Sequence, residues 1–249
     1  MKNVIRRCME IVLYPILDHY MSTRAIPLIR ERMIKNTRMQ QTILGSWTTA
    51  QYIADHMSGA TIFEDRDDGL KASLDEVTWD GLYLEFGVFT GSSINLIADT
   101  VKKTVHGFDS FKGLPENWHT GYAKGSFAMN DDWRPQVRSN VQLHVGTFDE
   151  VLPGFVEEFK ENVCFLHVDC DLYSSTKTLF EHLGERITHG TVIVFDEYFN
   201  YPNWQAHEYK AFQEFAKQRG LSYEYIGYSS RYTQVAVRVL SKTEMPSEN

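Results

Sequence analysis

The chain has little of several things that would assign it to a class at once. Only three of its 249 residues are cysteine, and Cys8, Cys164 and Cys170 show no paired metal-ligand spacing. That argues against a disulfide scaffold or a zinc ribbon and fits reduced thiols in a cytoplasmic protein. Long apolar runs are missing as well. The apolar stretch Ile11 to Leu17 is interrupted by Pro15, ends at Asp18 and His19, and carries no small-residue cleavage site. It is far shorter than the roughly 20 residues a spanning helix needs, so it reads as a packing or subunit-contact segment without stable membrane insertion. Basic residues are in deficit: 25 Lys and Arg stand against 33 Asp and Glu, for a net charge of −8. Phosphate neutralisation requires a basic face, so nucleic acid is not an expected partner. Repeats and low-complexity segments are absent.

What remains is ordinary globular material, 43% hydrophobic and 23% charged. The length suits one large α/β domain with additions. Residues 1–78 alternate helical patterns with polar breaks, including a candidate helix Ser46 to Met57 and a turn-rich stretch Glu64 to Gly69, and read as a helical extension or cover. Residues 79–249 change character. Short apolar strands are expected at Leu82 to Phe86, Thr104 to Phe108, Val141 to Val145, Val163 to Val168 and Thr191 to Phe195. Helices are expected at Ser92 to Val101, Ser174 to Ile187 and Trp204 to Lys217. This βαβ alternation predicts a doubly wound, mostly parallel sheet of Rossmann-like α/β class. Ser222 to Gly227 and Gln234 to Leu240 form a closing antiparallel hairpin. Leu114 to Asn140 has no clear period, is rich in aromatics, and has the character of a binding lid.

Chemistry concentrates at strand ends. Leu84-Glu85-Phe86-Gly87-Val88-Phe89-Thr90-Gly91-Ser92-Ser93 puts an acid and two glycines at a strand-to-helix turn, where missing side chains let a ligand approach the backbone. The spacing differs from the Gly-x-Gly-x-x-Gly that cradles a pyrophosphate, so a ligand without phosphates is preferred. The next strand ends in Gly107-Phe108-Asp109-Ser110-Phe111, and Asp109 sits where a carboxylate accepts both ribose hydroxyls. Together the two features point to a nucleoside.

Two later strands end in Val168-Asp169-Cys170-Asp171 and Phe195-Asp196-Glu197. They are separated by room for one crossover helix, so parallel neighbours would bring four acids to one rim. Several anions in one cleft require a cation, and carboxylate oxygens select magnesium, calcium or manganese over zinc. His167, inside its strand, reads as structural; His207, near a helix start, reads as a local cap or a group that reaches substrate. Trp118, Tyr122, Phe127 and Trp133 are candidates for an aromatic, sugar-binding lid.

From Gly81 to Phe215 the sequence resembles the class I S-adenosylmethionine-dependent methyltransferases, and among them the macrocin-type sugar O-methyltransferases. The resemblance rests on Glu85-Phe86-Gly87-Val88-Phe89-x-Gly-x-Ser, on Gly107-Phe108-Asp109-Ser110-Phe111-x-Gly-Leu-Pro, and on the two acidic segments. It implies S-adenosylmethionine contacts at Glu85, Gly87, Gly91, Ser92, Asp109 and Ser110. It also implies Mg²⁺, or another hard divalent cation, on Asp169, Asp196 and Glu197, with Asp171 as general base. Position 197 departs from the family pattern, which has aspartate there. The implied activity is methyl transfer to a hydroxyl of a sugar or glycosylated natural product. A catechol-type small-molecule O-methyltransferase and a nonenzymatic S-adenosylmethionine-binding protein are the alternatives, and homo-oligomerisation is left open.

Overall fold

The computed structural model describes residues 14–119, 121–130 and 132–242; Cys8 and the first residues of the Ile11 to Leu17 stretch lie outside them. The chain divides after Leu44 into two units. The first contains α1 (Tyr14–Tyr20), a π-helical turn (Met21–Ala25), α2 (Ile26–Lys35) and the beginning of α3 (Thr37–His56). No described helix is long and apolar enough to cross a membrane.

The second unit is built on eight strands: β1 (Thr61–Phe63), β2 (Leu82–Phe86), β3 (Val105–Asp109), β4 (Val141–Val145), β5 (Val163–Val168), β6 (Ile187–Phe195), β7 (Leu221–Ser229) and β8 (Val235–Lys242). Their order is β1-β7-β8-β6-β5-β2-β3-β4. Every neighbouring pair is parallel except those of β8, which runs antiparallel to both β6 and β7. Strands β2 and β5 are buried along their whole length, as the middle strands of a parallel sheet covered on both faces must be, which explains their near-continuous apolar runs. Glu85 and His167 are the interruptions, and they stand directly opposite each other in the register.

Side chains alternate across the sheet. Leu82, Leu84 and Phe86 pack with Leu152 and Phe155 of α6 (Phe148–Glu158), Leu179, Phe180 and Leu183 of α7 (Tyr173–Leu183), and Phe212 and Phe215 of α8 (Glu208–Arg219). Tyr83 packs on the other face with Ile94, Ile97 and Ala98 of α5 (Ser92–Val101) and Leu70 and Leu74 of α4 (Arg66–Asp75). Each such side chain, fully buried, contributes on the order of 1.5–3 kcal/mol of apolar transfer free energy. The chain leaves β2 for β3 and β4 on one side, while β5 and β6 lie on the other. The order therefore reverses between β2 and β5, and ligands bind outside the carboxyl ends at such a reversal.

Several sequence expectations need adjustment. Glu64 to Gly69 is not a turn region throughout: Asp65 caps α4 by accepting the Asp67 N–H at 2.8 Å, and the helix starts at Arg66. β1 and α4 fall within the segment 1–78 expected as a helical extension, yet β1 pairs with β7 and α4 packs in the same core as α5. The helix expected over Trp204 to Lys217 is a 3₁₀ turn (Trp204–Ala206) followed by α8. The helix expected to reach Ile187 ends at Leu183, because Ile187 already begins β6. Helix α6 was not foreseen, although Thr147-x-x-Glu150 is a capping-box pattern and Glu150 Oε2 does accept the Thr147 N–H at 3.0 Å.

Candidate active site

The carboxyl ends of five strands, β2 to β6, and α4 surround a cavity of about 1050 Å³. The glycine turn forms one wall, but its glycines serve the protein's own backbone as well. Gly87 has φ +92°, and a Cβ there would lie 1.7 Å from the carbonyl oxygen of Asp169. The β2 and β5 loops thus press on each other at a point where no side chain fits. Gly91, at φ +84°, is the N-cap of α5 and does not line the cavity. Gly87, Ser92, Asp109 and Ser110 do line it. Asp109 does more than wait for a ribose: Oδ2 accepts the N–H groups of Val88 (2.9 Å) and Phe89 (2.8 Å), and Oδ1 that of Phe111 (2.7 Å). Its carboxylate ties the glycine turn to the end of β3.

Glu85 lies beneath that turn, fully buried and outside the cavity lining. Its Oε1 meets His167 Nδ1 at 2.8 Å. Burial pushes the Glu85 carboxyl up to about 8 and the His167 imidazole down to about 4, so the neutral forms of both are favoured. His167 is structural as expected, and Glu85 is its partner. His167 Nε2 in turn stands 3.9 Å from Asp196 Oδ1.

All four acids reach the cavity. Asp169, Asp171 and Glu197 offer carboxylate oxygens within 4.8 Å of one another. Asp171 holds a left-handed backbone, φ +65°, at the start of the loop into α7. Burial, and then the Asp169 charge, push its carboxyl up to about 7. Burial likewise raises Asp169, with Arg66 and His167 opposing, and it raises Glu197 well above the carboxylate range. Glu197 Oε2 is buried, and no described donor reaches it. Asp196, also expected as a ligand, offers an oxygen within 4.8 Å of ligand atoms of Asp169 and His167. Its oxygens face protein donors: Arg66 Nε at 3.1 Å with a second guanidinium contact from Nη2, and Gln234 Nε2 at 3.2 Å. Arg66 Nη2 also lies 3.8 Å from Asp169 Oδ2.

Two residues here escaped the sequence reading. Arg66 opens α4 and supplies a fixed positive charge to the acids; its distance in sequence from the strand ends hid it. Glu208 opens α8 and accepts backbone N–H groups from both acid-bearing loops. His207, just before it, makes no side-chain cap and does not line the cavity.

The opposite wall is aromatic. Rings follow one another from Phe89 to Phe127 (5.7 Å between centroids), Tyr122 (5.5 Å), Trp118 (5.2 Å) and Tyr201 (5.4 Å). Trp118, Tyr122 and Phe127 come from the expected lid. Trp133 does not join them; it packs edge-on against Phe111, away from the cavity lining. The lid's base is closed by reciprocal backbone bonds, Leu114 N–H to Ser126 O and Gly125 N–H to Leu114 O, both 2.9 Å.

Residues 84–198 match the methyltransferase domain family. No curated protein sequence matches the chain significantly. Among solved structures, the calicheamicin methyltransferase CalS11 is similar at 21% identity and TM-score 0.56, over 69% of this chain and 77% of that one. The O-methyltransferase NovP is similar at 20% identity and TM-score 0.55, over 70% and 79%. The apo form of CalS11, described as a TDP-rhamnose 3′-O-methyltransferase, gives 20% identity and TM-score 0.50 over 69% and 77%. With its reversed strand order, its glycine turn after β2 and its antiparallel β8, the chain has the Rossmann-like fold of the class I methyltransferases.

Proposed function

We propose that the protein transfers the methyl group of S-adenosylmethionine to a hydroxyl of a sugar or glycosylated natural product, in the manner of the macrocin-type enzymes. The observation that carries this reading is the convergence of Asp169, Asp171 and Glu197 on the same cavity that the glycine turn and Asp109 enclose. A cofactor on the turn and an acceptor on the acids would lie within one enclosure, and in-line methyl transfer depends chiefly on such positioning.

The acids fit a hard divalent cation, since they are oxygen donors gathered within coordination reach and Glu197 Oε2 meets no donor among the described residues. When bound, such an ion acts as a Lewis acid that favours the alkoxide of a neighbouring hydroxyl. Asp169 and Glu197 would hold it, with Asp196 beside Asp169, and Asp171 stands next to them as the acid left free. Asp171 takes the hydroxyl proton as general base on its carboxylate, which the loop before α7 aims into the cavity. Asp196, engaged by Arg66, orients that guanidinium instead of reaching the acceptor. The aromatic wall from Phe89 to Tyr201 provides flat apolar faces for a sugar ring and excludes water.

A methyl-transfer screen across free sugars, glycosylated natural products and catechols, with and without Mg²⁺, tests the proposal when products are located by mass spectrometry. Methylated sugar hydroxyls formed only with the metal are expected. Exclusive methylation of catechols would replace the acceptor class, and cofactor binding without any transfer would overturn the enzymatic reading.

A further inference from the structure

The geometry points to Glu208 as the positioning residue that holds the acid cluster together. It is the first residue of α8 and is fully buried. Oε1 accepts the N–H of Cys170 at 3.3 Å and of Asp171 at 3.0 Å; Oε2 accepts the N–H of Glu197 at 3.2 Å. One carboxyl group thus fastens the loop after β5 to the loop after β6, and these loops carry Asp169, Asp171 and Glu197, whose oxygens lie within 4.8 Å of one another. No other described hydrogen bond joins the backbones of residues 170–171 and 197 through a side chain.

The arrangement needs such a fastener. Asp171 sits at φ +65°, which costs free energy for a residue with a Cβ, and it is the central residue of a tight turn closed by Leu172 N–H on the Cys170 carbonyl. Three carboxyl groups drawn within 4.8 Å also oppose one another's ionisation. Burial, followed by the Asp171 and Asp169 charges, pushes the Glu208 carboxyl well above the usual carboxylate range, while the N–H groups of Cys170 and Glu197 pull it back; the clamp is the acceptance of three N–H groups by its two oxygens. Glu208 does not line the cavity, so its action passes through the backbone of its neighbours.

This inference rests on the methyl-transfer reading only for its consequence, since the clamp itself is observable without turnover. The full-length parent, Glu208→Gln and Glu208→Ala are compared by amide hydrogen exchange, by Mn²⁺ affinity from electron paramagnetic resonance, and by S-adenosylhomocysteine affinity from calorimetry. Expected for Glu208→Ala are at least tenfold faster exchange at Cys170, Asp171 and Glu197 and at least tenfold weaker Mn²⁺ binding. S-adenosylhomocysteine affinity should stay within twofold. Glu208→Gln keeps one acceptor oxygen but turns an NH₂ on one of the two loops, so it should fall between parent and Ala. If Ala does not fold, Gln decides. Parent-like exchange and Mn²⁺ affinity in Glu208→Gln overturn the inference, as does an equal loss of both ligands, which marks general destabilisation. A parent that binds neither Mn²⁺ nor S-adenosylhomocysteine defeats the methyl-transfer reading instead, and the exchange rates still judge the clamp.

Discussion

Replacing Arg66 by Gln removes a charged donor that faces Asp196 and Asp169 together. At 3.1 Å a unit ion pair is worth about 1.3 kcal/mol in a water-like dielectric and about 5 kcal/mol at an effective dielectric of 20. Asp196 is 1% exposed but the Arg66 side chain is 44% exposed, which places the pair in the lower half of that range, at about 2 kcal/mol. For a chain of this size about 2 kcal/mol corresponds to a fall in Tm of roughly 4–8 °C. The assay is thermal unfolding of the parent, Arg66→Gln, Asp196→Asn and the double variant in EDTA. Because Asp196→Asn removes the charge that Arg66 compensates, the two losses should couple and the double variant should be less destabilised than their sum. Millimolar Mg²⁺ should restore part of the Arg66→Gln loss, since a cation on Asp169 and Glu197 relieves the same repulsion. Additive losses, or an Arg66→Gln protein as stable as the parent, would refute the charge-balance argument.

Three further outcomes follow. Asp171→Asn should leave S-adenosylhomocysteine affinity unchanged and lower the single-turnover methyl-transfer rate by about 10² to 10⁴, as rapid-quench measurement will show; a parent-like rate removes Asp171 as the base. Gly87→Ala should fail to fold or melt far below the parent, because its Cβ meets the Asp169 carbonyl, whereas Gly59→Ala, with open space around it, should melt like the parent. His106 touches His144 at 3.0 Å, and burial followed by the His144 charge depresses it to about 4. A folded pKa below the unfolded 6.5 gives stability that is complete above about pH 6.5 and is lost as pH falls towards 4. The fall in Tm from pH 7 to pH 5 should therefore be smaller in His106→Phe; equal slopes in the two proteins would rule out this titration.

The central strands were legible because a parallel sheet buried on both faces leaves an unmistakable run of apolar residues, and β2 and β5 fall where those runs predict. The convergence of acids was legible for the same reason, since register follows once Val163–Val168 and the end of β6 are neighbours. What escaped depends on packing between distant segments. Arg66 reaches Asp196 across 130 residues and Glu208 reaches Cys170 across 38, and no local pattern records either contact. β1 has three residues, too few for a period, and exists because β7 offers it an edge. The roles of Gly87 and Asp109 were legible only in part: ligand approach was foreseen, but the turn also has to accommodate the Asp169 carbonyl and satisfy its own N–H groups. Glu85 and His167 were the converse case, two polar residues in apolar strands that are explained by each other.

The lid carries its own closure. Leu114 and the Gly125–Ser126 pair exchange backbone bonds whose geometry is indifferent to the side chains between them, while every acid lies on other loops. Of the aromatic wall, Trp118 and Tyr122 lie between those anchors, whereas Phe89, Phe127 and Tyr201 lie outside them. Under the proposed function, variants at Trp118 and Tyr122 would sample new acceptors while Asp169, Asp171 and Glu197 keep their own loops.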